Sequence, residues 1–265
     1  MLTNYHTHTY RCKHAVGKED EYVAVALAEG YDALGFTDHV ILPGIQGRVR
    51  GDWGTQEQYF SSLRRLQEEY KGQIDIFVGH ECEWSSRFAS YYKELLDSKK
   101  VDYLIFGNHT LYFKGGKDIA LKIRSHTEYV RRYRKFALAA LESGLFSYMA
   151  HPDFYMSYSP WDGEAERTAV EICKNAKERD IVLEVNCSCL RWKGGERDLC
   201  GEHRVKYPYP KFWEIARETG NTVVIGVDAH DPLDLQKEKR ELTLQFAADM
   251  GLHIVDHLDF IQKRI

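Results

Sequence analysis

Residues 1–9 read MLTNYHTHT, and the histidines at the end of this stretch introduce a pattern that recurs along the chain. A short apolar strand around Leu2 and Tyr5 leads directly into His6 and His8. Because side chains two residues apart on a strand point to the same side, both imidazoles can face one point. Two neutral imidazole nitrogens at a strand end are half of a typical metal site. The stretch therefore predicts a metal site, provided that later strands end in the same way.

Strands and helices alternate along the rest of the chain. Short apolar or β-branched runs predict strands, and longer amphipathic runs predict helices. The predicted strands after the first cover residues 33–37, 74–78, 103–106, 145–150, 181–185 and 222–227. The predicted helices cover residues 19–29, 56–70, 88–96, 127–143, 164–178, 211–219 and 232–250. Strands that alternate with helices in this way are typical of a parallel sheet with right-handed crossovers.

An open doubly wound sheet and a closed barrel both agree with this alternation. No glycine-rich dinucleotide-binding motif follows the first strand, which argues against the open sheet. Almost every predicted strand ends in a histidine or a carboxylate, and in a β/α barrel such ends meet at one opening, where active sites are built. The sequence therefore predicts an α/β fold, a distorted seven-stranded (β/α)7 TIM-like barrel, as a single domain over residues 1–265.

The strand ends and the loops after them supply candidate metal ligands. They are seven histidines and two carboxylates: His6, His8, His14, His39, Glu81, His109, His151, Asp228 and His230. So many imidazoles at one opening would repel each other when protonated and would lack partners when buried. Bound divalent ions remove both the repulsion between the rings and the lack of partners for their nitrogens. A set of nitrogen and carboxylate ligands suits zinc, iron or manganese better than calcium. Nine ligands are too many for one ion and generous for two, so three divalent ions are expected.

The amino-acid composition argues against some classes of function. The 265 residues are 43% hydrophobic and 29% charged, and the net charge of −4 argues against a nucleic-acid binder with a general basic field. No apolar run approaches the ~20 residues of a membrane span and no signal peptide is evident, so a cytoplasmic protein is expected.

The cysteines are interpreted as free thiols, since the spacing of Cys187, Cys189 and Cys200 matches no usual paired zinc pattern. The oligomeric state stays open, a homo-oligomer included.

Seven motifs carry these candidate ligands: His6-Thr7-His8, His14, Thr37-Asp38-His39, Gly79-His80-Glu81, Gly107-Asn108-His109, Ala150-His151-Pro152-Asp153 and Gly226-Val227-Asp228-Ala229-His230. Together they resemble the polymerase-and-histidinol-phosphatase (PHP) superfamily, and within it the stand-alone histidinol-phosphate phosphatases. The resemblance implies three metal positions. It assigns His6, His8, Glu81 and Asp228 to the first, Glu81, His109 and His151 to the second, and His14, His39 and His230 to the third.

The resemblance also implies an activity, the hydrolysis of a small phosphate monoester, and L-histidinol phosphate of histidine biosynthesis is the expected substrate. Two ions that share Glu81 would lower the pKa of a bridging water, and the resulting hydroxide would attack phosphorus. Asp228 and His230 are the nearest candidates for handling protons. Asp38 and Asp153 are expected to accept hydrogen bonds from metal-binding histidines and so to orient them.

Arginines are expected to bind the phosphate. Arg191 follows the sixth strand and can offer two parallel hydrogen bonds. A second arginine is usual after the fifth strand of such phosphatases, but residues 154–158 here read FYMSY, which leaves Arg50, Arg48 or Arg87 as candidates to replace it. This departure keeps open a PHP phosphoesterase that acts on a nucleotide, a cyclic phosphate or phosphotyrosine. A non-enzymatic metal-binding module would be expected to have lost ligands, and this chain keeps all nine.

Overall fold

The computed structural model describes residues 1–45, 50–109, 125–191 and 194–257, together with the short strands at 113–114 and 117–118. The helices are α1 (Glu19–Ala28), α2 (Gln56–Glu69), α3 (Ala89–Asp97), α4 (His126–Glu142), α5 (Gly163–Glu178), α6 (Pro210–Thr219) and α7 (Lys237–Asp249). They lie close to the predicted ranges, except that α7 begins late because residues 232–235 form a separate 3-10 turn. None of the helices in the described ranges is both long enough and apolar enough to cross a bilayer.

Eight strands form one sheet in which every neighbouring pair is parallel. The strands of the described residues are β1 (Thr3–Asn4), β2 (Ala33–Phe36), β3 (Asp75–Cys82), β4 (Tyr103–Phe106), β5 (Phe113–Lys114), β6 (Lys117–Asp118), β7 (Tyr148–Met149), β8 (Val182–Asn186), β9 (Arg197–Leu199), β10 (Glu202–Arg204), β11 (Thr222–Gly226) and β12 (His253–Ile254). The order in the sheet is β1-β2-β3-β4-β7-β8-β11-β12. The other four strands form two antiparallel hairpins, β5 with β6 and β9 with β10.

The predicted α/β class and parallel sheet are confirmed, but the predicted count of seven strands differs from the eight that the described residues form in this sheet. The additional strand is β12, which pairs with Thr222 and Val223 of β11. Two residues are too few to show the periodicity by which a strand is recognised. The extent of a single domain over residues 1–265 stays a prediction.

The sheet curls into a half-barrel, and the segments that follow its strands converge at one end. Thr7, after β1, forms a parallel bridge with Ala229, after β11. The amide of His8 donates to the Ala229 carbonyl at 2.8 Å, and the amide of Ala229 donates to the His6 carbonyl at 3.2 Å. The carboxyl ends of the strands therefore meet, as the sequence predicts.

A layer of tyrosines fills the inside of the curled sheet below these strand ends. Tyr5, Tyr103 and Tyr148 are buried, and the hydroxyls of Tyr103 and Tyr148 donate to the Tyr5 carbonyl at 2.7 and 2.9 Å. Gly35 leaves the space that Tyr103 needs, since a Cβ at residue 35 would lie 2.1 Å from the Tyr103 hydroxyl oxygen. Two other strands thus hold the backbone directly before His6. A larger apolar core lies between the other face of the sheet and the helices.

Candidate metal centre

Four buried side chains converge at the first predicted metal position. The Nε2 atoms of His6 and His8 lie 3.1 Å apart, and each lies 3.4 Å from Oδ1 of Asp228. Oε2 of Glu81 lies 3.7 Å from the His6 nitrogen and 3.4 Å from the His8 nitrogen. Asp228 reaches this point from a left-handed backbone conformation after β11, with φ of 52°, which aspartate tolerates better than most residues. The structure therefore brings together the set predicted for this position.

The second predicted position lies on the other side of the Glu81 carboxylate. The Nε2 atoms of His109 and His151 are 3.1 Å apart, and they lie 3.7 and 3.1 Å from Oε1 of Glu81. Oε2 of the same carboxylate faces His6 and His8. Glu81 thus stands between the two positions with one oxygen directed to each.

Two of the three side chains predicted for the third position face each other. The Nε2 atoms of His14 and His230 are 2.8 Å apart. The ring of His39 stacks on that of His14 with the centroids 5.3 Å apart, but Nδ1 of His39 lies 3.0 Å from Oε2 of Glu81. The structure therefore brings His14 and His230 together and places His39 between them and the first position.

Each position contains two imidazole nitrogens that face each other at 2.8–3.1 Å. Nδ1 of His6 faces Glu184 at 2.8 Å and Nδ1 of His109 faces Glu83 at 3.1 Å, so these atoms carry the ring proton and leave Nε2 a bare lone pair when the ring is neutral. Nδ1 of His14 faces the Cys12 carbonyl and Nδ1 of His230 the Asp228 carbonyl, at 3.1 and 3.0 Å. Lone pairs this close repel unless a proton or a metal ion lies between them. The donor set therefore fits divalent metal ions.

Two buried carboxylates that orient histidines do not belong to the strand-end motifs. Glu184 lies inside β8 and contacts His6, while Glu83 follows β3 and accepts a hydrogen bond from the amide of His109 as well as facing its ring. A charged residue inside an otherwise apolar strand was the available signal for Glu184. Gly226 leaves room for it, because a Cβ there would lie 2.2 Å from the Glu184 carboxylate.

The two aspartates that were predicted to orient histidines have other partners. Asp38 accepts hydrogen bonds from the amide and the hydroxyl of Thr9 at 2.7 and 2.6 Å, while Nδ1 of His8 is 3.9 Å away. Asp153 accepts from the Tyr209 amide and the Trp213 indole at 2.6 and 3.0 Å. Both carboxylates therefore hold backbone segments around the centre, because loop amides reach them more closely than the imidazoles do.

The predicted phosphate-binding arginines differ in their surroundings. Nη2 of Arg191 donates to the Asp228 carbonyl at 2.9 Å, and Nη1 lies 2.5 Å from Oδ2 of Asp234. Arg50 is buried and donates from Nη1 to the Val40 carbonyl at 2.9 Å, which favours a role in holding the loop after β2. Arg87 is exposed, with its guanidinium over the ring of Phe88. Arg48 lies outside the described residues. The contact of Arg191 or Arg50 with phosphate stays a prediction.

The six cysteines are free thiols, as predicted. Cys12 is fully buried, and its sulfur lies within 4.8 Å of a ring nitrogen of His8 and one of His230. No pattern in the sequence indicates that a thiol lies beside these histidines. Cys187, Cys189 and Cys200 belong to none of the clusters of potential metal ligands found among the described residues.

A cavity of about 320 Å³ opens over the centre. Its lining consists of His8, His14, His39, Glu81, Glu83, His109, Ser188, Tyr207, Asp228 and His230. The cavity is large enough for a small phosphate ester, and imidazoles and carboxylates dominate its wall. A cavity lined in this way can bind a negatively charged phosphate ester only when metal ions offset the charge of the carboxylates.

Metal binding is expected to release protons at neutral pH. Burial would lower the pKa of His6, but the carboxylates of Glu184, Asp228 and Glu81 outweigh it and raise the pKa to about 10. Burial is likewise outweighed at His109, where Glu81 and Glu83 raise the pKa to about 9. Both rings are therefore protonated near pH 7 without metal, whereas a ligating imidazole is neutral. Metal affinity should accordingly rise with pH.

Zinc titration calorimetry in two buffers of different ionisation enthalpy measures the number of protons released. We expect at least about one proton per chain and an affinity that increases between about pH 6 and pH 8. Binding with no proton release, or an affinity independent of pH, would contradict the expectation.

Comparisons with known proteins agree with this geometry. The family model described as PHP domain matches residues 4–188, well over half of the chain. A probable histidinol-phosphatase of Deinococcus radiodurans is 27% identical over 236 residues, which are 87% of this chain and 87% of that protein. A probable phosphatase of Shewanella sp. strain ANA-3 is 27% identical over 248 residues, 92% of this chain and 82% of that protein.

A solved structure has the same fold. It is the histidinol phosphate phosphatase of Lactococcus lactis complexed with zinc, L-histidinol and phosphate, with a TM-score of 0.68 and 20% sequence identity over 96% of this chain and 95% of that one. The resemblance inferred from the strand-end motifs is confirmed by the family match. The chain belongs to the PHP domain family.

Proposed function

We propose that this chain is a metal-dependent phosphomonoesterase that hydrolyses L-histidinol phosphate to L-histidinol and phosphate, as a cytoplasmic enzyme of histidine biosynthesis. The observation that carries the proposal is the Glu81 carboxylate, whose two oxygens face two separate pairs of imidazoles. A shared carboxylate between two metal positions is typical of centres that hydrolyse phosphate esters. The names of the Deinococcus radiodurans and Lactococcus lactis relatives support the choice of substrate.

Three divalent ions, zinc, iron or manganese, would be held by the nine predicted ligands, since those ions accept nitrogen and carboxylate donors alike. When bound, such ions activate a water as nucleophile and offset the charge of the phosphate. Glu81, Asp228 and His230 are the proposed catalytic ligands. Glu184 and Glu83 would keep His6 and His109 in the tautomer that presents Nε2 to the centre.

Arg191 is our proposed phosphate-binding residue. Its guanidinium lies against the Asp228 carbonyl at the edge of the centre, and its buried Nε has no hydrogen-bond partner among the described residues. A planar guanidinium with a spare donor suits a phosphate oxygen. Arg50 is a weaker candidate because it is buried against the Val40 carbonyl.

A PHP phosphoesterase with another substrate is the second candidate. Residues 154–158 supply no arginine after β7, and a relative with the same 27% identity is named only as a probable phosphatase. A nucleotide, a cyclic phosphate or phosphotyrosine would then replace L-histidinol phosphate.

The test is kcat/KM of the metal-loaded protein on L-histidinol phosphate, on p-nitrophenyl phosphate and on a panel of nucleotides and phosphotyrosine. We expect a value of about 10⁴ M⁻¹s⁻¹ or more for L-histidinol phosphate, well above the others. A clear preference for another ester would favour the second candidate. If no phosphoester were hydrolysed with metals bound, the enzymatic proposal would fail.

A further inference from the structure

The cavity over the metal centre contains two groups that the proposed metal centre does not use. Seven of its ten lining residues are predicted metal ligands, and Glu83 holds the ring and amide of His109. The remaining two are Ser188 and Tyr207. Among the described lining residues, their hydroxyls are therefore the polar groups left to contact the part of a substrate that is not phosphate.

The ligating histidines are poorly suited to protonate a leaving group. Nε2 of His230 faces His14, and its Nδ1 faces the Asp228 carbonyl. Both ring nitrogens of His109 also have partners, because Nδ1 faces Glu83 and Nε2 faces His151. Hydrolysis of an alkyl phosphate nevertheless needs a proton for the leaving alkoxide. The donor should thus be a group beside the ligands.

Tyr207 stands beside the second metal position and is held firmly. Its ring lies 5.8 Å from that of His151 and 5.7 Å from that of Phe154, measured between centroids. The amide of Tyr209, two residues on, donates to Asp153 at 2.6 Å, which ties this segment to the loop after β7. The phenol is mostly buried, yet it lines the cavity.

Ser188, which lines the cavity together with Tyr207, is linked to the metal ligands by hydrogen bonds. The amide of Ser188 donates to Oδ1 of Asn186 at 2.7 Å. Nδ2 of Asn186 in turn donates to Glu184 and Asp228, at 2.6 and 3.3 Å. A phenol has an ordinary pKa of about 10 and therefore carries its proton at neutral pH.

We propose that the Tyr207 hydroxyl protonates the leaving ester oxygen, an inference that rests on the phosphomonoesterase activity proposed above. As the bond between phosphorus and the ester oxygen breaks, its electron pair stays on that oxygen. The Tyr207 proton moves to the same oxygen and completes the alcohol product. The phenolate left behind takes a proton back from water in the open cavity.

The test compares Tyr207→Phe with the wild-type chain on two substrates. The leaving group of L-histidinol phosphate is a basic alkoxide, whereas p-nitrophenolate leaves without a proton. We expect kcat for L-histidinol phosphate to fall about 10²- to 10³-fold and kcat for p-nitrophenyl phosphate to fall less than about threefold. Metal content and the inhibition constant of inorganic phosphate should not change, since Tyr207 is neither a metal ligand nor a phosphate ligand.

Tyr31→Phe is the matched control, because it removes a buried hydroxyl that has no hydrogen-bond partner among the described residues and lies before β2, away from the cavity. Equal losses on both substrates, or no loss on L-histidinol phosphate, would overturn the role of Tyr207 and leave the proposed activity in place. If the wild-type chain hydrolysed neither ester, the proposed activity would fail and this inference with it.

Discussion

Replacing Glu81 by glutamine should lower kcat/KM by at least about 10³-fold, the largest effect expected from a single substitution here. Both oxygens of the carboxylate are used, one toward His6 and His8 and the other toward His109 and His151. Burial would raise the pKa of Glu81, but His109, His39 and His6 outweigh it and hold the pKa well below its usual range, so the group is an anion at working pH. Glutamine keeps the shape, removes the charge and offers one acceptor oxygen.

The measurement pairs kcat/KM with the number of metal ions bound per chain. We expect Glu81→Gln to lose at least one ion, because the first two positions share this ligand. Glu94→Gln, at an exposed position on α3, is the control for the loss of one carboxylate and should leave both quantities unchanged. Retention of full metal content and activity in Glu81→Gln would show that the carboxylate does not bridge two ions.

Adding one methyl group at Gly107 should also impair the enzyme, by about 10²-fold in kcat/KM. A Cβ at residue 107 would lie 2.1 Å from Oε1 of Glu81 and 2.9 Å from Cε1 of His109. The backbone of Glu81 is paired in register with Ile105 of β4 and has little freedom to retreat. The Glu81 side chain must therefore turn away. A displacement of about 1 Å at a reacting centre is enough for a loss of this size.

Gly107→Ala should still fold, because the φ angle of residue 107 lies outside the left-handed region and alanine tolerates it. A decrease of about 1–3 kcal/mol in the free energy of unfolding is expected from the added volume. Gly54→Ala is the matched control, since a Cβ there would meet nothing within 4 Å. An active Gly107→Ala protein with normal metal content would mean that the Glu81 carboxylate does not occupy this space in the working enzyme.

The convergence of the candidate metal ligands could be predicted from the sequence because each follows from its place relative to a strand. Parallel strands in a curled sheet bring their carboxyl ends together, so local patterns in distant segments such as residues 6–8 and 228–230 carry global information. The grouping of Glu81 with two pairs of histidines is reproduced by the distances between their atoms. For His39, the spacing of residues in the sequence does not determine which metal position it joins, because the rotation of its ring decides which neighbour its nitrogen faces.

Contacts that side chains make with distant segments of the chain could not be predicted in this way. Arg191 meets Asp234, and Asp153 meets Tyr209 and Trp213, through tertiary packing that no periodicity reveals. The position of Glu184 inside a predicted strand could be seen in the sequence, but its contact with His6, 178 residues away in the chain, could not. The network that supports the centre is therefore less predictable than the ligands.

The two tyrosine hydroxyls on the Tyr5 carbonyl have a consequence for the dynamics of the metal-binding segment. Active-site segments usually belong to the parts of a protein that open most readily, and their amide hydrogens exchange quickly with solvent. Here the backbone before His6 is fastened from β4 and β7 inside the buried tyrosine layer. Local opening at His6 would have to break both hydrogen bonds and expose that layer. The segment that carries His6 is therefore expected to open rarely and to keep its conformation before any ion arrives.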